Sequence, residues 1–97
     1  MTGDSSQPPI KRDGFATRNM PGENLRGADL HGSDLREFNL FGADLAEADL
    51  RRASLNSAKA QRADFRKARL DGADLTGADL RKADLTDAQL DGAELQG

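Results

Sequence analysis

The chain has 97 residues and a net charge of −3, with 32% of its residues charged and only 4% aromatic. That length makes a single domain. With no cysteine, disulfides, thiolate catalysis and cysteine zinc sites are excluded. No run approaches the ~20 apolar residues needed to span a bilayer, so no membrane partner is expected.

In chain order, residues 1–9, with Ser5-Ser6-Gln7-Pro8-Pro9, read as a disordered N-terminal tail. Lys11 and Arg12 are not followed by the apolar run of a signal peptide, which makes a cytoplasmic location the expectation. Ile10, Phe15 and Met20 are five apart, but the residues two before them are Pro8, Asp13 and Arg18. Residues 10–24 therefore read as degenerate repeats or an N-terminal cap.

From Leu25 to Leu95 every fifth residue is Leu, except Ala60 and Phe65, and the residue two before is Ala except at Glu23, Ser33 and Phe38. Gly72-Ala73-Asp74-Leu75-Thr76-Gly77-Ala78-Asp79-Leu80-Arg81 shows the unit. A period of five fits neither regular element. On an α-helix five residues advance about 500°, so the leucines would spiral round the cylinder. On a strand a step of five alternates faces. Burial of each Leu is worth about 1.5–3 kcal/mol, and all of them are buried together only if the chain turns a corner every unit. Gly follows two residues after the central position at 27, 32, 42, 72, 77, 92 and 97, where a tight turn favours it. Residues 25–97 are an all-β solenoid by this reading.

The Ala, Asp or Asn, Leu unit with two variable residues, repeated in register across residues 25–95, resembles the pentapeptide-repeat proteins. The resemblance implies a right-handed quadrilateral β-helix with four units per coil, so about four coils here. On that count Phe38 stands one coil from Ala58, on the side of Ala60, and rings at 38 and 65 are expected to fill what Ala60 vacates. Phe41 falls at an outward position.

Charge is also patterned. Residues 51–69 carry Arg51, Arg52, Lys59, Arg62, Arg66, Lys67 and Arg69 against Asp64 alone, a balance of +6, while residues 22–50 and 70–97 each sum to −5. Folded at twenty residues per coil, this is a basic belt expected to offset carboxylates on the coils either side, with Glu47, Lys67 and Asp87 as one alternating ladder. Nucleic acid is not the expected partner, because no outward aromatic residue interleaves with the basic ones, Phe65 being inward, and the overall charge is negative. A second column, Asn24, Asp44, Asp64 and Asp84, suits turn amides or water better than Ca²⁺ or Mg²⁺.

Enzyme chemistry finds no footing. His31 is the sole histidine, at an outward variable position, and no nucleophile elbow, phosphate-cradling loop, triad or zinc-ligand cluster can be built around it. No catalytic, cofactor-binding or metal residue is expected, and no small-molecule substrate. The expected function is a non-catalytic scaffold whose partner is a protein. The family resemblance implies an alternative, a DNA mimic acting on a type II topoisomerase such as gyrase, from which this short chain with a basic middle departs. Another alternative is an accessory segment of a larger assembly. The last coil would present Leu80, Leu85, Leu90 and Leu95 under acidic Asp87, Asp91 and Glu94, and an end-to-end homodimer through that coil is the expected self-association. Leu75→Asp is expected to unfold or badly destabilise the chain and Thr76→Asp to be nearly neutral.

Overall fold

Each five-residue unit closes a turn and then pairs once with the coil on either side. In the computed structural model, which describes residues 20–96, the carbonyl of each central residue accepts the N–H three residues on, as from Ala28 to Leu25 at 3.0 Å and Ala78 to Leu75 at 2.9 Å. The residue two after the centre has φ between +60° and +73° at every corner from Gly22 to Gly92, the left-handed conformation that a type II turn requires there. Seven corners use Gly; eight use Glu37, Glu47, Arg52, Ser57, Arg62, Lys67, Lys82 and Asp87. The turn geometry is thus held by the coil rather than by Gly alone.

Eleven parallel bridges join residues twenty apart, from Asn24 with Asp44 to Asp74 with Glu94. Twenty residues per coil and a corner every five give four sides. We number them by their inward stacks: side 1 carries Leu25, Leu45, Phe65 and Leu85; side 2 Leu30, Leu50, Leu70 and Leu90; side 3 Leu35, Leu55, Leu75 and Leu95; side 4 Met20, Leu40, Ala60 and Leu80. Contrary to the expectation of a β-helix with strands, every bridge among the described residues is isolated. A corner every five residues leaves one residue per unit straight enough to pair on both edges.

The amides of one unit can be accounted for completely, as buried or semi-buried backbone demands. Ala73 donates to Leu70 across the turn, Asp74 to Ala53 on the preceding coil, Leu75 to Glu94 and Gly77 to Gln96 on the following coil. The fifth amide, of Thr76, has no backbone acceptor and takes Asp74 Oδ1 at 3.0 Å. This is why the residue before the centre is Asp or Asn in ten of the fifteen units from 24 to 94, the others being Ser54, Lys59, Arg69, Gln89 and Glu94: Asp and Asn reach the amide two residues on. All ten Asp or Asn residues at this place, from Asn24 to Asp84, make that bond at 3.0–3.4 Å.

Leu and Ala line one continuous core, with Leu30, Leu35, Leu40, Leu45, Leu50, Leu55 and Leu70 wholly enclosed. Phe38, Ala60 and Phe65 are all buried in it, as the volume argument expects. Ser33 replaces Ala and is also buried. Met20 takes the central place of an earlier unit: it packs on the core and its N–H donates to Asn39 at 2.8 Å. The expected tail at 1–9 and residues 10–19 of the expected cap lie outside the described residues. Towards the other end Leu80, Leu85 and Leu90 are half-buried and Leu95 is 51% exposed.

Candidate functional site: capped corners and a cationic side

Because the repeat fixes three places of every five, recognition chemistry falls to the two turn residues and, where it is not Asp or Asn, the residue before the centre. The turn residue after the centre often shares the Asp that caps its amide. Arg36, Arg51, Arg66 and Arg81 each lay a guanidinium along the Asp two residues before, with Nε to Oδ1 at 2.8–2.9 Å and a terminal nitrogen to Oδ2 at 2.6–2.7 Å. This two-point fork is the geometry that suits Arg to carboxylates. Thr76 and Thr86 do the same with a hydroxyl at 2.6 Å. Arg26 follows Asn24, which has no charge to offer, and reaches across to Asp44 on the next coil at 3.3 Å.

These bonds hold the aspartates ionised. Arg51 lowers Asp49 to about 2, against the opposing push of partial burial. Arg66 and Arg81 lower Asp64 and Asp79 in the same way, and the hydroxyls of Thr76 and Thr86 lower Asp74 and Asp84.

The basic belt at 51–69 is therefore not one surface. Arg51 and Arg66 are committed to Asp49 and Asp64 inside their own units. The ion pairs that cross coils among the described residues are Arg26 with Asp44 and a longer contact of Arg66 with Asp84 at 4.0 Å. The expected Glu47, Lys67, Asp87 ladder forms no ion pair, and neither Arg52, Lys59, Arg62, Lys67 nor Arg69 is paired with a described residue. Neighbouring corner residues share a column, but their side chains leave the left-handed turn outward into water, where pairing gains little.

Summed by side instead of by coil, the charge is uneven. Described units on sides 1, 2 and 3 total −3, −1 and −3; side 4 totals +3, from Lys59, Arg62, Arg81 and Lys82 against Asp79. Phe41 lies on this side, 46% exposed. With Gln61, Arg62, Arg81 and Lys82 it lines an open groove of about 240 Å³. The expectation that no aromatic residue interleaves with the basic ones fails here: Phe41 is far from the belt in sequence and next to it one coil up.

Two further clusters arise from stacking. A groove of about 310 Å³ on side 1 is lined by Arg26, Ala46, Glu47, Arg66, Lys67, Thr86 and Asp87. Ala46 stands at an outward place yet is buried, since the long side chains at 26 and 66 flank so small a residue. On side 2, ligand-type atoms of Asp29, His31 and Asp49 lie within 4.8 Å of one another, which reasoning along the chain missed and a twenty-residue step reveals. His31 Nδ1 meets Asp29 Oδ1 at 2.6 Å, and that bond lowers Asp29. Both Asp49 oxygens are held by Arg51, so a cation there competes with a guanidinium already in place. In the column Asn24, Asp44, Asp64 and Asp84, each Oδ1 accepts a turn amide, the turn role weighed from the sequence.

Comparison with known proteins agrees with this geometry. No curated protein is similar enough to the chain to match it. Among solved structures, a pentapeptide repeat protein from the cyanobacterium Nostoc PCC 7120 is 35% identical over 90% of this chain and 78% of its own, with a TM-score of 0.79. A second, from the cyanobacterium Cyanothece 51142, is 28% identical over 96% of this chain and 69% of its own, with a TM-score of 0.77. A third, from the thylakoid lumen of Arabidopsis thaliana, is 34% identical over 72% of this chain, with a TM-score of 0.71. The match spans only 49% of that third protein's length. The pattern of the family described as pentapeptide repeats fits in 8 copies over residues 19–40, 24–59, 34–72 and 61–97. With that pattern running through all four sides of the solenoid, the chain belongs to the pentapeptide repeat family.

Proposed function

We propose that the chain is a non-catalytic scaffold that docks another protein on its outer sides. One observation carries this reading: backbone and the residue before each Leu satisfy all five amides of a unit such as 73–77. The turn residues can then vary while the hydrogen-bond scheme stays intact, at a cost of no more than about 1–2 kcal/mol at a left-handed corner, and a fold this tolerant of its outer residues can spend them on recognition. Right-handed winding, implied by the family resemblance, belongs to the same reading. So does a cytoplasmic location, although the Arabidopsis relative is from the thylakoid lumen; fractionation of the native host tests it.

The test is affinity capture from the native host with three baits: the natural chain, and variants whose turn residues are exchanged on one side at a time while Ala, Asp and Leu are kept. A partner lost from one bait and retained by the others, then bound by the purified chain, supports the scaffold. Retention of every partner by every bait, or a turnover activity that survives purification, overturns it.

The gyrase alternative is not favoured by the surface, since a duplex mimic needs negative charge all round and side 4 totals +3. A supercoiling assay is expected to show no inhibition. Self-association through the last coil has one observation in its favour, the 51% exposure of Leu95 beside half-buried Leu80, Leu85 and Leu90. Light scattering at rising salt tests it. Tightening as the acidic residues are screened supports a dimer, whereas a monomer at high salt and high concentration refutes it and leaves a larger assembly to cover these leucines.

A further inference from the structure

We propose that side 4 is a docking site for a short acidic protein segment that carries an aromatic or large aliphatic residue among its carboxylates. The inference deepens the scaffold reading and rests on it.

The twenty-residue coil puts Phe41, Gln61 and Arg81 in one column and Gly42, Arg62 and Lys82 in the next, in register with the bridges Asn39 to Lys59 and Lys59 to Asp79. Successive coils lie roughly 4.8 Å apart. Phe41 keeps 46% of its surface in water. Beside it Gly42 leaves the corner open, since a Cβ there would meet nothing within 4 Å. An apolar side chain can therefore lie against the ring without displacing any described residue.

One and two coils on, Arg62 and Lys82 have no carboxylate among the described residues. The acid of this side, Asp79, is already spanned by Arg81 at 2.9 and 2.6 Å. That fork fixes one wall of the groove and leaves Arg62 and Lys82 for an incoming anion. The groove thus offers one apolar contact and two available cations within about 10 Å. That is the length of a few residues of extended peptide.

A nucleic acid could also use cations beside an aromatic ring, but the surroundings oppose it. Two residues past the Gly42, Arg62, Lys82 column stand Asp44, Asp64 and Asp84. Arg26 and Arg66 offset these carboxylates in part, but the side they stand on totals −3. A polyanionic backbone continuing round that corner meets that charge, whereas a compact acidic segment does not reach it. The other three sides carry net negative charge and would turn an acidic partner away, which gives the docking its direction.

The test uses the full chain labelled with nitrogen-15 and the probe acetyl-Glu-Glu-Phe-Glu-Glu-amide. Saturable shift changes are expected at residues 41–42, 61–62 and 81–82. Arg62→Glu with Lys82→Glu should weaken binding about tenfold or more, and Phe41→Ala about threefold or more. Glu already occupies left-handed corners at 37 and 47, so the charge reversals are compatible with the fold. Arg52→Glu with Lys67→Glu makes the same change in net charge on sides 2 and 1 and should leave binding within about twofold. Replacing the probe's Phe by Ser should cost about as much as Phe41→Ala. The proposal is overturned by the absence of saturable shifts, by shifts centred on another side, or by equal losses in the two double variants. It is overturned equally by tighter binding of a thymidine decanucleotide, or by the same shifts arising from protein concentration alone, which would make the occupant a second copy. Capture of a partner by another side alongside a failed peptide titration sinks this inference and spares the scaffold reading; failure of both sinks both.

Discussion

Replacing Asp49 separates the two tasks that the residue before each Leu performs. Its Oδ1 accepts the turn amide of Arg51 at 3.2 Å, and both its oxygens accept the Arg51 guanidinium at 2.8 and 2.6 Å. Asp49→Asn keeps an oxygen for the amide and loses the charge; Asp49→Ala loses both. The lowering from 3.8 to about 2 corresponds to an upper bound of about 2 kcal/mol at neutral pH, cut to about 1 kcal/mol by solvent around the half-exposed guanidinium. The turn bond adds about 1 kcal/mol, as for a helix N-cap, because the freed amide can be hydrated. At pH 7 Asn should therefore cost about 1 kcal/mol and Ala about 2 kcal/mol. A depressed pKa contributes fully above the unfolded value near 3.8 and is lost as pH falls through about 2, so at pH 3 roughly half the charge component should remain. Urea unfolding of the three proteins at pH 7 and pH 3 measures this. Equal costs for Asn and Ala, or costs that do not shrink with acid, would refute the division of labour.

Acid should destabilise the natural chain as well. Asp29, Asp49, Asp64, Asp74, Asp79 and Asp84 are all lowered, so the unfolded state binds more protons on acidification. Melting temperature should be level from about pH 8 to 5 and fall below about pH 4; a flat profile to pH 2 would count against it. At the corners, Ser57→Gly should stabilise by about 0.5–1 kcal/mol, since Ser57 sits at φ +60° where Gly bears no steric cost. Gly77→Ala should lose about 1–2 kcal/mol, with φ +71° and a new Cβ 3.4 Å from Ser57 Oγ. Thermal melts that show no difference between the two would refute the strain. Leu75→Ala should cost about 2–5 kcal/mol in the enclosed core, while Thr76→Ser should be neutral because it keeps the hydroxyl that Asp74 accepts. Thr76→Asp, expected from the sequence to be harmless, is instead predicted to cost about 1 kcal/mol, since it sets a second carboxylate against Asp74.

The corner and the inward Leu and Ala were legible because a period of five allows only one economical burial. The isolated bridges were not, since spacing fixes where the chain turns but not how much straight backbone each turn leaves. The side-chain cap was one reading among others until the turn placed the Thr76 amide opposite Asp74 and away from every carbonyl. Surface charge was misread for a different reason. Arg51 and Arg66 belong to a belt along the chain, yet each is bound within two residues, while Phe41, Arg62 and Lys82 form one groove from three coils. Neighbours on a solenoid's surface are twenty residues apart, and a single five-residue rhythm does not contain that number.

The claim on which the sides, columns and docking groove all depend is the coil of twenty residues, and the absence of native cysteine allows a direct measurement. Gln61→Cys with Arg81→Cys places two thiols on adjacent coils of side 4, at a bridge-like separation of roughly 5 Å, within reach of a disulfide. Gln61→Cys paired with Thr76→Cys or Thr86→Cys, fifteen and twenty-five residues away by number, places them on different sides. Mild oxidation of the folded monomers should cross-link the first pair rapidly and the other two slowly or not at all. Cross-linking of either control pair as fast as the first would contradict the four-sided coil.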